Sequence, residues 1–163
     1  NAESAVDATV AFINRHPEMR VLYVRDCHPA EHCSFDAFGG QWPAHAVKGT
    51  DECAIMEQFN SIEKTINSPL ESYNIFNKGE DEMKEEYSGF NAVNKNYGAL
   101  KFNLTGRVVV SGIATEYCVK ETVKDLLKMG FKVSVLQDGL GYIDKEEHEK
   151  ALNELVSLGA KRI

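Results

Sequence analysis

Apolar residues recur along the chain at helical and at strand spacings. Val6, Val10 and Ile13 fall on one face of a helix over Glu3 to Arg15, and Arg20 to Arg25 (RVLYVR) is a short β-rich run ending at Asp26. A helix therefore feeds a buried strand. After a long middle stretch, Tyr73 to Asn77 (YNIFN) reads as a strand ahead of Lys78-Gly79, and Arg107 to Ser111 (RVVVS) as another ahead of Gly112. From Thr115 onward, Val119, Val123, Leu126 and Leu127 line a helical face that stops at Gly130, since glycine closes a helix in the left-handed conformation at little cost. A strand over Phe131 to Gln137 follows. Asp144, with Glu147 three residues later, has the spacing of a capping box for a helix through Leu158, closed by Gly159, and Ala160 to Ile163 begins one more strand. Strands alternating with helices predict an α/β fold: a parallel doubly wound sheet with helices on both faces.

Composition narrows the partners. The 163 residues, 43% of them hydrophobic, suit a single domain over 1–163, with no internal repeat, low-complexity tract or Pro/Ser-rich linker. With 18 Lys+Arg against 25 Asp+Glu, the net charge of -7 offers no basic stripe for nucleic acid or an anionic bilayer, so a small-molecule substrate comes first. No apolar stretch approaches the ~18 residues that span a membrane, and the N-terminus lacks a secretory pattern, so a cytoplasmic protein is expected. Cys27, Cys33, Cys53 and Cys118 form no CxxC pair, and reduced thiols are the default.

In parallel α/β sheets the ligand site lies beyond the carboxyl ends of the strands. The polar residues that follow four predicted strands are Asp26, Lys78, Ser111 to Cys118, and Asp138, which should share one rim. With Thr115 as N-cap, Cys118 falls in the first helical turn, where unpaired N–H groups and the helix dipole favour thiolate. A nearby Lys78 ammonium would lower its pKa further, and the same N–H groups could hold an oxyanion. The other three cysteines lack that setting and read as packing or surface residues. Asp26, His28, His32 and His45 offer one carboxylate and three imidazoles, a set acceptable to zinc, iron or manganese. The D-x-H spacing points two of them the same way from an extended segment, although loop histidines bonded to backbone would give the same pattern. Trp42 and Tyr87 are either core aromatics or the walls of a pocket for a flat ring.

These segments carry a resemblance. Asp26-Cys27-His28-Pro29 through His32-Cys33-Ser34-Phe35, then Gly39-Gly40-Gln41-Trp42-Pro43-Ala44-His45-Ala46-Val47-Lys48-Gly49-Thr50, resembles the metal-binding stretch of nicotinamidases. Lys78-Gly79, Tyr87-Ser88-Gly89-Phe90 and Ser111-Gly112-Ile113-Ala114-Thr115-Glu116-Tyr117-Cys118-Val119 are similar to the lysine and nucleophile motifs of the same group, within the isochorismatase-like cysteine hydrolases. The resemblance implies hydrolysis of nicotinamide to nicotinate and ammonia in NAD salvage, with pyrazinamide accepted as an analogue. It makes Cys118 the nucleophile and Lys78 its electrostatic partner, with an oxyanion hole from the N–H groups of Ala114 and Cys118 and a cis peptide between Ile113 and Ala114. Asp26, His28 and His45 would bind one divalent metal, zinc first and iron or manganese as alternatives, with His32 a further ligand directly or through water. The metal would take the ring nitrogen, with Trp42, Tyr87 and Ile113 lining the ring pocket. A homo-oligomer is compatible with this reading.

The resemblance also implies departures. Cys27 stands where the family often has Trp, and Ala46 where it often has Cys. The family's proton-transfer aspartate, on the first strand, would lie before Asn1, so the sheet is expected to lack that strand and the domain to be N-terminally incomplete. Asp7, inside the first helix, is no replacement. Two other readings stay open: a catalytically silent metal- and ligand-binding domain of the same fold, and a related amidase or isochorismatase-type hydrolase.

Overall fold

The computed structural model describes residues 1–163. Helix α1 (Ala2–Arg15) turns Val6, Val10 and Ile13 inward, as the spacing predicts, and buries Ala5 beside them. Strand β1 (Tyr23–Asp26) pairs in parallel with β2 (Ile75–Lys78), in a register that runs from Tyr23 opposite Ile75 to Asp26 opposite Lys78. A short antiparallel hairpin, β3 (Val93–Asn94) and β4 (Gly98–Ala99), extends this sheet beyond β2. Strand β5 (Arg107–Gly112) pairs in parallel with β6 (Lys132–Leu140), and β6 with β7 (Lys161–Arg162).

Helices α2 (Lys120–Lys128) and α3 (Lys145–Ser157) share one core with β6, in which Val123, Leu126, Leu152 and Leu155 meet Val133 and Val135. Helix α1 belongs to a second core, with Val6, Val10 and Ile13 against Tyr23, Ile62 and Ile75. Gly130 (φ 87°) and Gly159 (φ 110°) end α2 and α3 in the left-handed region, as expected. Asp144 caps α3, its Oδ1 accepting from the N–H groups of Glu146 (2.8 Å) and Glu147 (3.0 Å). The capping box is not reciprocal, because Glu147 pairs with Lys150 instead. No helix is long and apolar enough to cross a membrane.

The parallel sheet is divided, in keeping with the expectation that one strand is lacking. The strand orders are β1-β2-β3-β4 and β5-β6-β7, two sheets with no ladder between them. Strands β1 and β5 each pair along one edge only, and both border a cavity of about 610 Å³. Its walls include Val24, Val108, Val109 and Val110, and it extends to Asp26, Lys78 and Cys118. The consequence is visible in burial: the Val108 to Val110 run, apolar enough for a sheet centre, is only half-buried. A correction concerns β6, which continues through Leu140, so that exposed Asp138 lies within the strand and away from the rim.

Candidate active site

The β1/β2 register explains the first half of the site. Directly opposed residues of a parallel pair present their side chains on the same face, so Asp26 and Lys78 emerge side by side at the carboxyl ends of their strands. Lys78 Nζ donates to Asp26 Oδ1 and to the carbonyl of Glu86 (2.9 Å). Lys78 is 6% exposed, and it lines the same cavity as Cys118. Burial alone would drive Lys78 towards neutrality, but Cys118 and Asp26 outweigh it and hold its pKa above the ordinary lysine value.

Cys118 comes from the other sheet. The Ile113–Ala114 peptide is cis, as expected, and leads from β5 into the turn that carries the thiol. That turn, Thr115–Val119, is a π-helical turn preceding α2, and Thr115 does not cap it. Instead the Thr115 N–H and Oγ1 both donate to the carbonyl of Gly141, at 2.8 and 2.7 Å. The predicted lowering of the thiol pKa is also corrected. Burial pushes Cys118 above the ordinary thiol value; Lys78 opposes this without overcoming it, and the Asp26 carboxylate adds to the rise.

Asp26, His28 and His45 each offer a ligand atom, all within 4.8 Å of one another. Residue 45 is brought to residue 28 by backbone bonds: the His28 N–H donates to Ala46 O (3.0 Å) and the Lys48 N–H to His28 O (2.8 Å). His28 Nδ1 donates to Gly79 O at 2.9 Å, and His45 Nδ1 to Pro43 O at 2.8 Å. Both bonds fix the tautomer that leaves Nε2 free to ligate, the outer support typical of metal-bound histidines. Burial holds His28 below the ordinary histidine pKa, which keeps the ring neutral. Two nitrogens and one carboxylate oxygen, converging with both imidazoles oriented, fit a divalent ion. His32 departs from the expectation. It lies against His28, with centroids 4.2 Å apart and the rings tilted by 34°, but Nδ1 accepts from the Ser34 N–H (3.2 Å) and Nε2 donates to Lys84 O (3.1 Å). Both ring nitrogens are thus in use, and it stays outside the triad.

Trp42 and Tyr87 meet: Trp42 Nε1 donates to the Tyr87 hydroxyl at 3.0 Å, and Gln41 Nε2 donates to the same oxygen at 2.8 Å. Trp42 faces His45 at 6.5 Å on one side and Tyr117, edge to face at 4.9 Å, on the other. An aromatic wall therefore runs from the triad to the residue beside Cys118. Ile113 borders the cavity and is 40% exposed.

An isochorismatase domain pattern matches residues 1–163. The chain belongs to the isochorismatase family. A solved pyrazinamidase from Pyrococcus horikoshii, in complex with zinc, is 35% identical and superposes with a TM-score of 0.79 over 99% of this chain and 86% of that one. The nicotinamidase/pyrazinamidase of Mycobacterium tuberculosis is 30% identical over 142 residues, 83% of this chain and 71% of that protein. The nicotinamidase of Escherichia coli is 28% identical over 162 residues, 86% of this chain and 72% of that protein.

In this isochorismatase-family chain the structure adds residues to those legible in the sequence. Tyr117 joins the aromatic wall, and its place directly before Cys118 on a strand-to-helix turn was the available signal. Glu86 braces the lysine, accepting from Lys78 Nζ through its carbonyl and from the Gly79 N–H (3.3 Å) through its carboxylate. Nothing in its short acidic neighbourhood singled it out. Cys27 and Cys53 are buried as packing residues, and burial beside Cys53 pushes the Cys27 thiol up to about 12.

Proposed function

We propose that this chain hydrolyses nicotinamide to nicotinate and ammonia in cytoplasmic NAD salvage, with pyrazinamide as an alternative substrate, through a thioester on Cys118. The observation that carries the reading is the meeting of Cys118 and Lys78 at the cavity end, beside an oriented Asp26/His28/His45 triad and an aromatic wall. The names of the M. tuberculosis and E. coli relatives support the substrate, and the zinc in the P. horikoshii structure supports zinc as the metal.

An amide is a poor electrophile and ammonia a poor leaving group, so a thiolate needs both oxyanion stabilisation and a proton source. Sulfur attacks the carboxamide carbon, and the oxygen gains charge against the N–H groups of Ala114 and Cys118. Lys78 lends positive charge to the thiolate. As the C–N bond breaks, the amine takes a proton and leaves as ammonia; water then cleaves the thioester to nicotinate and restores the thiol. Asp26, His28 and His45 would hold a divalent ion, which would supply a Lewis-acid anchor for the ring nitrogen. Trp42, Tyr87 and Ile113 flank the ring.

Because burial keeps Cys118 protonated, a base must take its proton. Asp26 is committed to Lys78 and the triad. We read the cavity between β1 and β5 as the seat of one further strand, with a carboxylate at its end beside Cys118. Two half-paired strand edges and the half-buried Val108 to Val110 run support this, since each buried unpaired backbone group costs about 1–3 kcal/mol. If residues 1–163 alone are monomeric, cooperatively folded and active, that reading fails.

The function itself is tested by ammonia release from nicotinamide with the full-length protein. Cys118→Ala should abolish release while leaving the circular dichroism unchanged. Near-native turnover by this variant would exclude Cys118 as nucleophile, and metal binding without any turnover by the native protein would favour the silent binding domain.

A further inference from the structure

The turn bearing Cys118 lacks a side-chain cap of its own, and the loop between β6 and α3 holds it from outside. Thr115 gives two hydrogen bonds to Gly141 O, and the Gly141 N–H donates to Gly112 O at 3.0 Å. The loop lies directly on the cis segment, because a Cβ at Gly141 would come within 2.5 Å of Ile113 Cγ1. Glu116, two residues before the nucleophile, adds the remaining tie. It is 6% exposed, and its Oε1 accepts from the N–H groups of Ile143 (2.7 Å) and Asp144 (2.8 Å). Those amides immediately precede α3, whose own N-cap side chain serves only Glu146 and Glu147. The carboxylate thus sits at the positive end of a helix of 13 residues. Its other oxygen, Oε2, is buried without a partner.

A buried carboxylate is unfavourable unless its acceptors are used, and an apolar side chain would fill the same space without that penalty. What Glu116 does that an apolar residue does not is fasten the turn to α3. We infer that Glu116 is a positioning residue for the reaction: it locks the Cys118 turn to the N-terminal end of α3 and so fixes the Ala114 and Cys118 N–H groups relative to the sulfur. The inference rests on the cysteine reading above and adds to it a residue that touches neither substrate nor metal.

The test compares Glu116→Leu, which removes the acceptor, with Glu116→Gln, which keeps one, in the full-length metal-loaded protein. Loss of an aligned oxyanion hole should lower kcat about 100-fold in Glu116→Leu with KM within about threefold of native, and Glu116→Gln should recover kcat to within about fivefold. Thr115→Val, which removes one of the two bonds to Gly141, should lower kcat about tenfold and serves as the second variant if Glu116→Leu does not fold. The inference is overturned if Glu116→Leu keeps native kcat, if its loss lies in KM alone, if Glu116→Gln falls as far as Glu116→Leu, or if Thr115→Val is fully active. Cys118→Ala is measured alongside. Turnover by that variant would sink the cysteine reading, whereas an inactive Cys118→Ala with an active Glu116→Leu would sink only the role of Glu116.

Discussion

The triad and the nucleophile turn meet where Asp26, Lys78 and Cys118 line the same cavity, yet they are held in different ways. On the β1/β2 side, Asp26 and His28 are separated by Cys27 on an extended segment, His45 returns through a backbone bridge to residues 46–48, and each imidazole is oriented by a single carbonyl. On the β5/β6 side, the thiol depends on a cis peptide, a π-helical turn and bonds to a loop some 26 residues away. The first region is fixed by strand register, with the carbonyl that orients His28 lying 51 residues away; the second borrows its geometry from the segment that leads into α3. Damage to the triad should therefore be felt first in the β1/β2 pair, and damage to the turn in its contacts with the β6/α3 loop.

The sharpest way to separate the two is to remove the ligands. His28→Ala/His45→Ala should lose nearly all bound metal by elemental analysis and at least about 10³-fold in kcat/KM, while iodoacetamide still alkylates Cys118 at close to the native rate. Full metal occupancy would show that the triad has been misassigned. Lys78 serves both regions, bonded to Asp26 and acting on Cys118. Replacing it with Met should cost about 10²-fold in kcat and, since the ammonium pulls the Cys118 pKa down, should shift the midpoint of thiol alkylation to higher pH. A shift to lower pH would contradict that sign. Gly79→Ala probes the triad alone: at φ 66°, its Cβ would come 2.4 Å from His28 Cε1. Metal affinity should fall by about 10-fold to 100-fold, measured by competition with a chelator, with little change in thiol reactivity. The smallest effect is expected from Trp42→Phe, which keeps a ring but loses the bond to the Tyr87 hydroxyl. A rise in KM for nicotinamide of about twofold to fivefold, with kcat unchanged, would place the wall in ground-state binding.

The same contrast governs what the sequence disclosed. Asp26, His28 and Lys78 were legible because strand ends and D-x-H spacing are local patterns, and Asp144, Gly130 and Gly159 announced helix ends for the same reason. The β3/β4 hairpin escaped because two-residue strands have no measurable alternation. His32 looked like a ligand until Ser34 and a carbonyl 52 residues away claimed its nitrogens. The Cys118 pKa went the other way from its expected direction because position at a turn is visible in sequence and burial is not. Glu116 was invisible for a similar reason: its partners are amides 27 and 28 residues downstream.

The pairing of Asp26 with Lys78 also acts as a check on assembly. Sliding β1 by one residue against β2 would turn every β1 side chain to the opposite face. In one direction the slip sets Arg25 against Lys78, a like-charge pair; in the other it sets Cys27 there and leaves a buried ammonium without its carboxylate. Either misalignment is penalised at the point where the chemistry sits. The charges that make the site work therefore also reject the folds in which it would not.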